Sequence, residues 1–345
     1  MSCPPPAPRR LLVPLLVPLL LAAAPSAPAT PAPPHLEDAV PDTFSGVERV
    51  VAVGDVHGDV DALKEALRLA GLLDDKGRWS GGKTHLVQTG DIPDRGEKTR
   101  EAFELLMRLE GEALAAGGRV HALLGNHEVM NMLGDLRYVS PGELASFADQ
   151  ATGPETSGSP RGFDGHRAAY GPTGRYGQWL RRHPAVVRID DTLFVHGGVS
   201  PQVPAKTLAE LNRWVRQDLF PGNPPGGAAN PQGPLWFRGY ALGEEQGAGL
   251  ALDEVLKRFG AKRMVMGHTT DRDGKVRTRF GGKAVFIDTG LSTGYGRHVS
   301  ALEIRGGKVT ALYREGRVEL VTPVPPPLPR APKQTAPPPR GQVSP

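Results

Sequence analysis

The chain has 345 residues, with 41 Lys and Arg against 37 Asp and Glu and a single cysteine. Residues 1–34 and 322–345 hold 21 of the 35 prolines and no acid, and without them 36 bases face 37 acids. The pI near 9.2 therefore belongs to the ends, which excludes a basic nucleic-acid footprint on the folded part. Cys3 alone excludes an intrachain disulfide framework and a zinc–thiolate site. Any metal must be bound by His, Asp, Glu or Asn.

In chain order, residues 1–29 read as an export signal. Arg9-Arg10 supplies a positive start, Leu11–Ala24 is an apolar run of 14 residues broken by Pro14 and Pro18, and Ala27-Pro28-Ala29 offers a cleavage site before Thr30. The run is too short to span a bilayer, so no membrane span is expected in the mature chain, which would be periplasmic or secreted. A disordered Pro/Ala leader is the alternative. Residues 30–47 read as a Pro-rich linker and 48–321 as one catalytic domain. The tail, 322–345, reads as a polyproline-like segment with little to bury.

Within the domain, strand-like runs alternate with helical ones. Arg49–Val53 is strand-like, and Val60, Leu63, Ala66, Leu67 and Ala70 recur at helical spacing. Thr84–Gln88 and Val120–Leu124 are strand-like and flank a helical run from Glu101 to Glu110. Further short apolar runs follow at Thr192–Val195, Met264–Met266, Ala284–Ile287, Ala301–Ile304 and Val309–Leu312. The alternation predicts an α/β fold, with the last runs as antiparallel hairpins turning at Gly306-Gly307. Residues 131–182 are rich in Gly, Ser and Pro without sheet-like runs and are expected to form a cap insertion.

Ligand groups in α/β sheets collect just past the carboxyl ends of strands. Five runs end that way. Gly54-Asp55-Val56-His57-Gly58-Asp59 follows the first, Gly90-Asp91-Ile92-Pro93-Asp94-Arg95-Gly96 the second, and Gly125-Asn126-His127-Glu128 the third. His196-Gly197-Gly198 and Gly267-His268 follow two later runs. One Gly-Asp or His-Gly pair is a commonplace turn; five in order point to a metal site. Carboxylate, amide and imidazole donors without thiolate suit Mn, Fe, Zn or Co. Two such ions would share a carboxylate and a bridging hydroxide, a nucleophile at neutral pH. The remaining histidines, His85 and His121 among them, read as structural or surface residues.

Two other patterns are set aside. Gly77–Thr84 satisfies the phosphate-loop pattern, but a helix precedes it and a strand follows, the reverse of the required order. Asp271-Arg272-Asp273-Gly274 begins like a calcium loop, lacks the later ligands, and reads as a hairpin turn.

The five clusters, with the wider contexts Asn131–Pro141, Gly233–Tyr240 and Asp288–Gly296, resemble the calcineurin-like metallophosphoesterases of the PPP protein-phosphatase family, in particular its Shewanella-like branch. The resemblance covers most of residues 48–315. It implies a central β-sandwich flanked by helices, with a dinuclear metal site at the carboxyl ends of the strands. It implies further that Asp55 and His57 hold one metal, that Asp91 bridges, and that Asn126, His196 and His268 complete the second, with Mn the ion expected to support activity best. His127 matches the general acid and Asp94 the carboxylate that orients it, while Arg95, Asn126 and Arg238 match groups that bind the substrate phosphate. The activity implied is a phosphomonoesterase acting on a phosphorylated protein or small phosphoester, with phosphotyrosine favoured. A phosphodiesterase or dinucleoside polyphosphate hydrolase of the same superfamily is the rival, and a non-catalytic binding protein the remote one.

Overall fold

Side chains alternate across a strand, so each short run can serve two layers at once. The computed structural model describes Met1, residues 34–38 and residues 40–320. The chain divides into two units, 1–32 and 33–345. The expected signal (apart from Met1) and the tail lie outside the described residues.

The described elements, in order, are β1 (Thr43–Phe44), β2 (Arg49–Val53), α1 (Val60–Leu69), β3 (His85–Gln88), α2 (Thr99–Ala115), β4 (Arg119–Ala122) and α3 (Asn126–Leu133). Then come α4 (Pro141–Ser146), α5 (Phe163–Tyr170), α6 (Arg175–Arg181), β5 (Val186–Ile189), β6 (Thr192–Val195), α7 (Leu208–Arg216), α8 (Gly239–Leu242) and α9 (Glu245–Arg258). The last are β7 (Arg263–Met266), β8 (Arg277–Arg279), β9 (Ala284–Phe286), β10 (Ser300–Arg305), β11 (Lys308–Tyr313) and β12 (Gly316–Glu319).

They build two six-stranded mixed sheets, ordered β1-β5-β6-β7-β9-β8 and β12-β11-β10-β2-β3-β4. Val50, Ala52, Val87, Phe194, Val265 and Val285 belong to the core between the sheets. Their neighbours Val51, Val53, Leu86, Leu193, Met264 and Met266 pack in the other core with the helices. Burial of each of these side chains other than Ala52 is worth about 1.5–3 kcal/mol, and a one-residue register slip would exchange the two faces. The strands β2, β3 and β4 are parallel in one sheet, as are β6 and β7 in the other. All five cluster-bearing loops leave their carboxyl ends.

Several expectations shift. The segment read as linker is partly docked: β1 pairs with β5, Glu37 pairs with Arg213, and the Arg216 guanidinium donates to the Asp38 carbonyl at 3.0 Å. The strand β5 has only a short apolar signal, broken by Arg188. The turn at Asp271–Gly274 forms, with Gly274 at φ 65°, but it is no hairpin. The strand β9 lies between β7 and β8, so β8 pairs with β9 instead. The motif at Gly77–Thr84 does lie after a helix and before a strand. Gly306 and Gly307, both at positive φ, join the antiparallel pair β10 and β11.

The insertion is helical, and its start overlaps α3, which runs on to Leu133. Ser140 caps α4 by accepting the Glu143 amide at 3.0 Å, with Pro141 in the first turn. Tyr170, Tyr176 and Trp179 gather around Phe103 of α2, ring centres 5.2–5.9 Å away.

Candidate metal centre

Tight backbone comes before the ligands. His57, Asp91, Asp94, Arg95 and His268 all have positive φ, between 47° and 72°. A non-glycine residue there is strained, and such strain collects at functional sites. Gly90, at φ 93°, shows why the clusters need glycine, since a Cβ on it would lie 2.5 Å from the Gly125 nitrogen. Two site loops pass at van der Waals distance, and no side chain fits between them.

The second and third clusters are locked by Glu128. Its buried carboxylate accepts the amides of Gly125 at 2.8 Å, Asp91 at 2.9 Å and Ile92 at 2.7 Å. The motif containing Glu128 is plain in the sequence, but its role between the loops is not, because two of its three partners, Asp91 and Ile92, lie 37 and 36 residues away.

Around Asp91, four atoms converge. The Nε2 atom of His196 lies 3.0 Å from Asn126 Oδ1, 3.0 Å from His268 Nδ1 and 3.2 Å from Asp91 Oδ2. His196 Nδ1 faces the Thr89 carbonyl at 2.9 Å. That bond assigns the proton to Nδ1 and leaves the Nε2 lone pair turned towards two oxygens. His57 repeats the device. Its Nδ1 faces the Pro93 carbonyl at 3.2 Å, and its Nε2 lies 4.0 Å from Asp55 and 3.9 Å from Asp91 carboxylate oxygens. Lone pairs converging without protons fit a cation between them.

Electrostatics agree. Burial, then Asp288 and Asp91, push the Asp55 carboxyl well above its usual range. Burial, then His196 and Arg238, push His268 down to about 2. Burial takes His57 down to about 4. Neutral imidazoles are the state that metal binding requires, and the proton that burial and crowding favour on Asp55 is one that a bound cation would displace. The six residues Asp55, His57, Asp91, Asn126, His196 and His268 thus lie together, all buried. Asp288, just past β9, borders them, accepting the Thr270 hydroxyl at 2.6 Å. The segment Asp288–Gly296 belongs to the family resemblance, but no Gly-Asp or Gly-His cluster marks Asp288 itself as a site residue.

His127 stands beside this cluster. Its Nδ1 bonds to Asp94 Oδ2, and its Nε2 lies 3.7 Å from Asp91. Burial disfavours its imidazolium, but Asp91 and Asp94 outweigh burial and raise it to about 9. The other Asp94 oxygen accepts the Asn131 amide at 2.8 Å. The Arg95 guanidinium stacks 4.0 Å over the Tyr138 ring. Arg238, an exposed residue, is anchored at the site by the His268 carbonyl at 2.7 Å and Thr269 Oγ1 at 2.9 Å. Tyr138 lies 5.1 Å from the His127 ring, and Tyr295 stacks on His57 at 5.3 Å.

Residues 48–271 match the family model of the calcineurin-like phosphoesterases. The chain belongs to that family. This metallophosphoesterase is 32% identical over 326 residues to Shewanella-like protein phosphatase 2 of Arabidopsis thaliana, covering 81% of this chain and 82% of the relative. It is 28% identical over 277 residues to Shewanella-like protein phosphatase 1 of Plasmodium berghei, covering 76% and 74%. The solved cold-active protein-tyrosine phosphatase of a psychrophilic Shewanella species aligns with a TM-score of 0.69 and 30% identity, over 86% of this chain and 87% of that one. The protein is a phosphoester hydrolase with the α/β metallophosphoesterase fold, and its His/Asp cluster can bind metal. Among the described residues, no helix is long and apolar enough to cross a membrane.

Proposed function

We propose that this metallophosphatase is an exported phosphomonoesterase that acts on phosphorylated proteins and prefers phosphotyrosine. The observation that carries the reading is the His127–Asp94 pair set beside the ligand cluster. Asp55, His57 and Asp91 would hold one ion, and Asp91, Asn126, His196 and His268 the other; the donors suit Mn, Fe or Zn, with Mn the ion expected to support activity best. Bound there, the ions would supply positive charge against the phosphoryl oxygens and would lower the pKa of the attacking water.

The chain's own groups do the rest. Asp94 holds His127 through Nδ1, which presents the Nε2 proton to the leaving oxygen. Arg95 and Arg238 offer planar guanidinium forks to the phosphoryl oxygens, each steadied by a neighbour that leaves part of the fork free. A groove of about 400 Å³ adjoins the cluster, lined in part by His57, Asp59, Arg95, Lys98, Thr293 and Arg297. A cavity of about 460 Å³ lies at the amino ends of β2, β6 and β7; it is larger but holds none of these groups.

The two tyrosines favour an aryl ester. Tyr138 and Tyr295 flank the histidines at the rim, where aromatic walls suit a phenyl leaving group. The tyrosine phosphatase named in the structural relative supports the same preference. The pattern of residues 1–29 supports export. A substrate panel tests the reading on purified mature protein with defined metals: phosphotyrosine and phosphoserine peptides, bis-phenyl phosphate and diadenosine polyphosphates. Phosphotyrosine peptide should be cleaved fastest, and faster turnover of either diester or polyphosphate would replace the reading with its rival.

A further inference from the structure

We propose that Glu143, supplied by the helical insertion, is a positioning residue for the phosphatase reaction: its buried carboxyl group seats Asp94 and, through Asp94, fixes the imidazole of His127. The inference rests on His127 being the proton donor.

Asp94 is fully buried and sits in left-handed backbone at φ 72°. Both its carboxylate oxygens are engaged, one by His127 Nδ1 and the other by Asn131. What holds the strained backbone is behind it. The Asp94 amide donates to the buried Glu143 Oε1 at 3.4 Å, a long contact. Glu143 is itself 0% exposed. Its own position is pinned to the loop that carries Asp94 and Arg95, because the Ser140 hydroxyl that caps α4 also donates to the Gly96 carbonyl at 2.8 Å.

The far side of Glu143 decides its protonation. The Thr99 hydroxyl of α2 stands within reach of the Glu143 carboxyl, and the Tyr170 hydroxyl of α5 lies nearby; none of Oε2, Thr99 Oγ1 and the Tyr170 hydroxyl is held in a well-formed hydrogen bond. Around the carboxyl, the ionisable groups are Asp94, His127 and Tyr170, and no cation is paired with it among the described residues. An unpaired buried carboxylate is costly, whereas a neutral carboxyl can donate from Oε2 to a neighbouring hydroxyl. Burial and then Asp94 raise Glu143 to about 8, in line with the neutral form. Neutrality matters to the reaction. A second negative charge behind Asp94 would compete for the proton that His127 must deliver, whereas a neutral carboxyl holds the Asp94 amide and leaves its charge to the imidazole.

The test uses the full-length, metal-loaded enzyme and two substrates, a phosphoserine peptide and 4-nitrophenyl phosphate, with bound metal measured on each preparation. Glu143→Ala should lower kcat on the phosphoserine peptide about 10- to 10²-fold, an appreciable part of a general acid's usual share. It should lower kcat on nitrophenyl phosphate several-fold less, with KM and metal content nearly unchanged. Placed on top of His127→Asn it should add almost nothing, because the two act as one unit. Glu143→Gln, a neutral isostere that needs no refolding of the insertion, should stay within about threefold of wild type at pH 7. Equal losses on both substrates with additivity to His127→Asn would overturn the proposal, as would Glu143→Gln falling as far as Glu143→Ala. If His127→Asn itself fails to discriminate the two leaving groups, the donor reading fails and takes this proposal with it. If only Glu143→Ala fails to discriminate, the donor reading stands alone.

Discussion

Histidines gather at two places along the same strands, but only one has metal-site chemistry. Away from the carboxyl-end loops, His85 at the start of β3 and His121 within the paired strand β4 bring their rings together nitrogen to nitrogen at 3.0 Å. Phe44 packs edge-on against both. Burial pushes His121 down to about 3, and burial and then Arg119 push His85 down as well, outweighing the Asp190 carboxylate. One ring donates, the other accepts, and the pair is complete. At the carboxyl end, backbone carbonyls already hold the outer nitrogens of His57 and His196. Their inner lone pairs then face Asp55, Asp91 and Asn126. Two close imidazoles are therefore no sign of a metal; what signals one is imidazoles whose protons are committed elsewhere.

The largest effect expected from breaking this contrast comes at Asp91. Asp91→Asn removes a carboxylate that borders His57, His127 and His196. Metal content should fall, and kcat should drop about 10³-fold or more on aryl and alkyl phosphates alike. Metal analysis and turnover on one preparation check this. Next comes His127→Asn, which should keep its metals and lose about 10²–10⁴-fold in kcat on phosphoserine, with a smaller loss on nitrophenyl phosphate. Metal loss as severe as in Asp91→Asn would place His127 among the ligands instead.

A smaller effect should appear in stability. Glu143 holds its proton to about 8 in the folded protein, against 4.5 ordinarily. The unfolded chain therefore releases that proton earlier, and wild-type stability should decline as pH rises from about 4.5 to 8. Glu143→Gln has no proton to release, so its Tm should gain on wild type across that window, by several degrees; parallel melting curves at pH 5 and 8 measure it. The smallest effect is expected at His121. His121→Phe leaves His85 without its partner, a cost of about 1 kcal/mol, while kcat and bound metal should stay within twofold or so. A tenfold fall in either would mean that the His85–His121 pair serves the metal centre after all.

Much of the carboxyl end was legible because its chemistry is local. A metal ligand just past a strand needs a tight loop, the tight loop needs Gly, Asp or Asn, and the ligand sits within a few residues of it. Asp55, Asp91, Asn126, His196 and His268 each carried that signal, and the order of the clusters followed the βαβ steps. The sequence by itself also determined the layers, since Val50 to Val53 and Met264 to Met266 alternate between two faces whatever their partners. Tertiary structure alone decided the rest. It chose which nitrogen of His57 and His196 holds a proton, through the carbonyls of Pro93 and Thr89. It brought Tyr138 over to Arg95 and set Arg238 against the His268 carbonyl. It placed Glu143 behind Asp94, 49 residues apart in the chain. These contacts join segments that share no periodicity, and a side chain held by packing at long range leaves no pattern in its own neighbourhood.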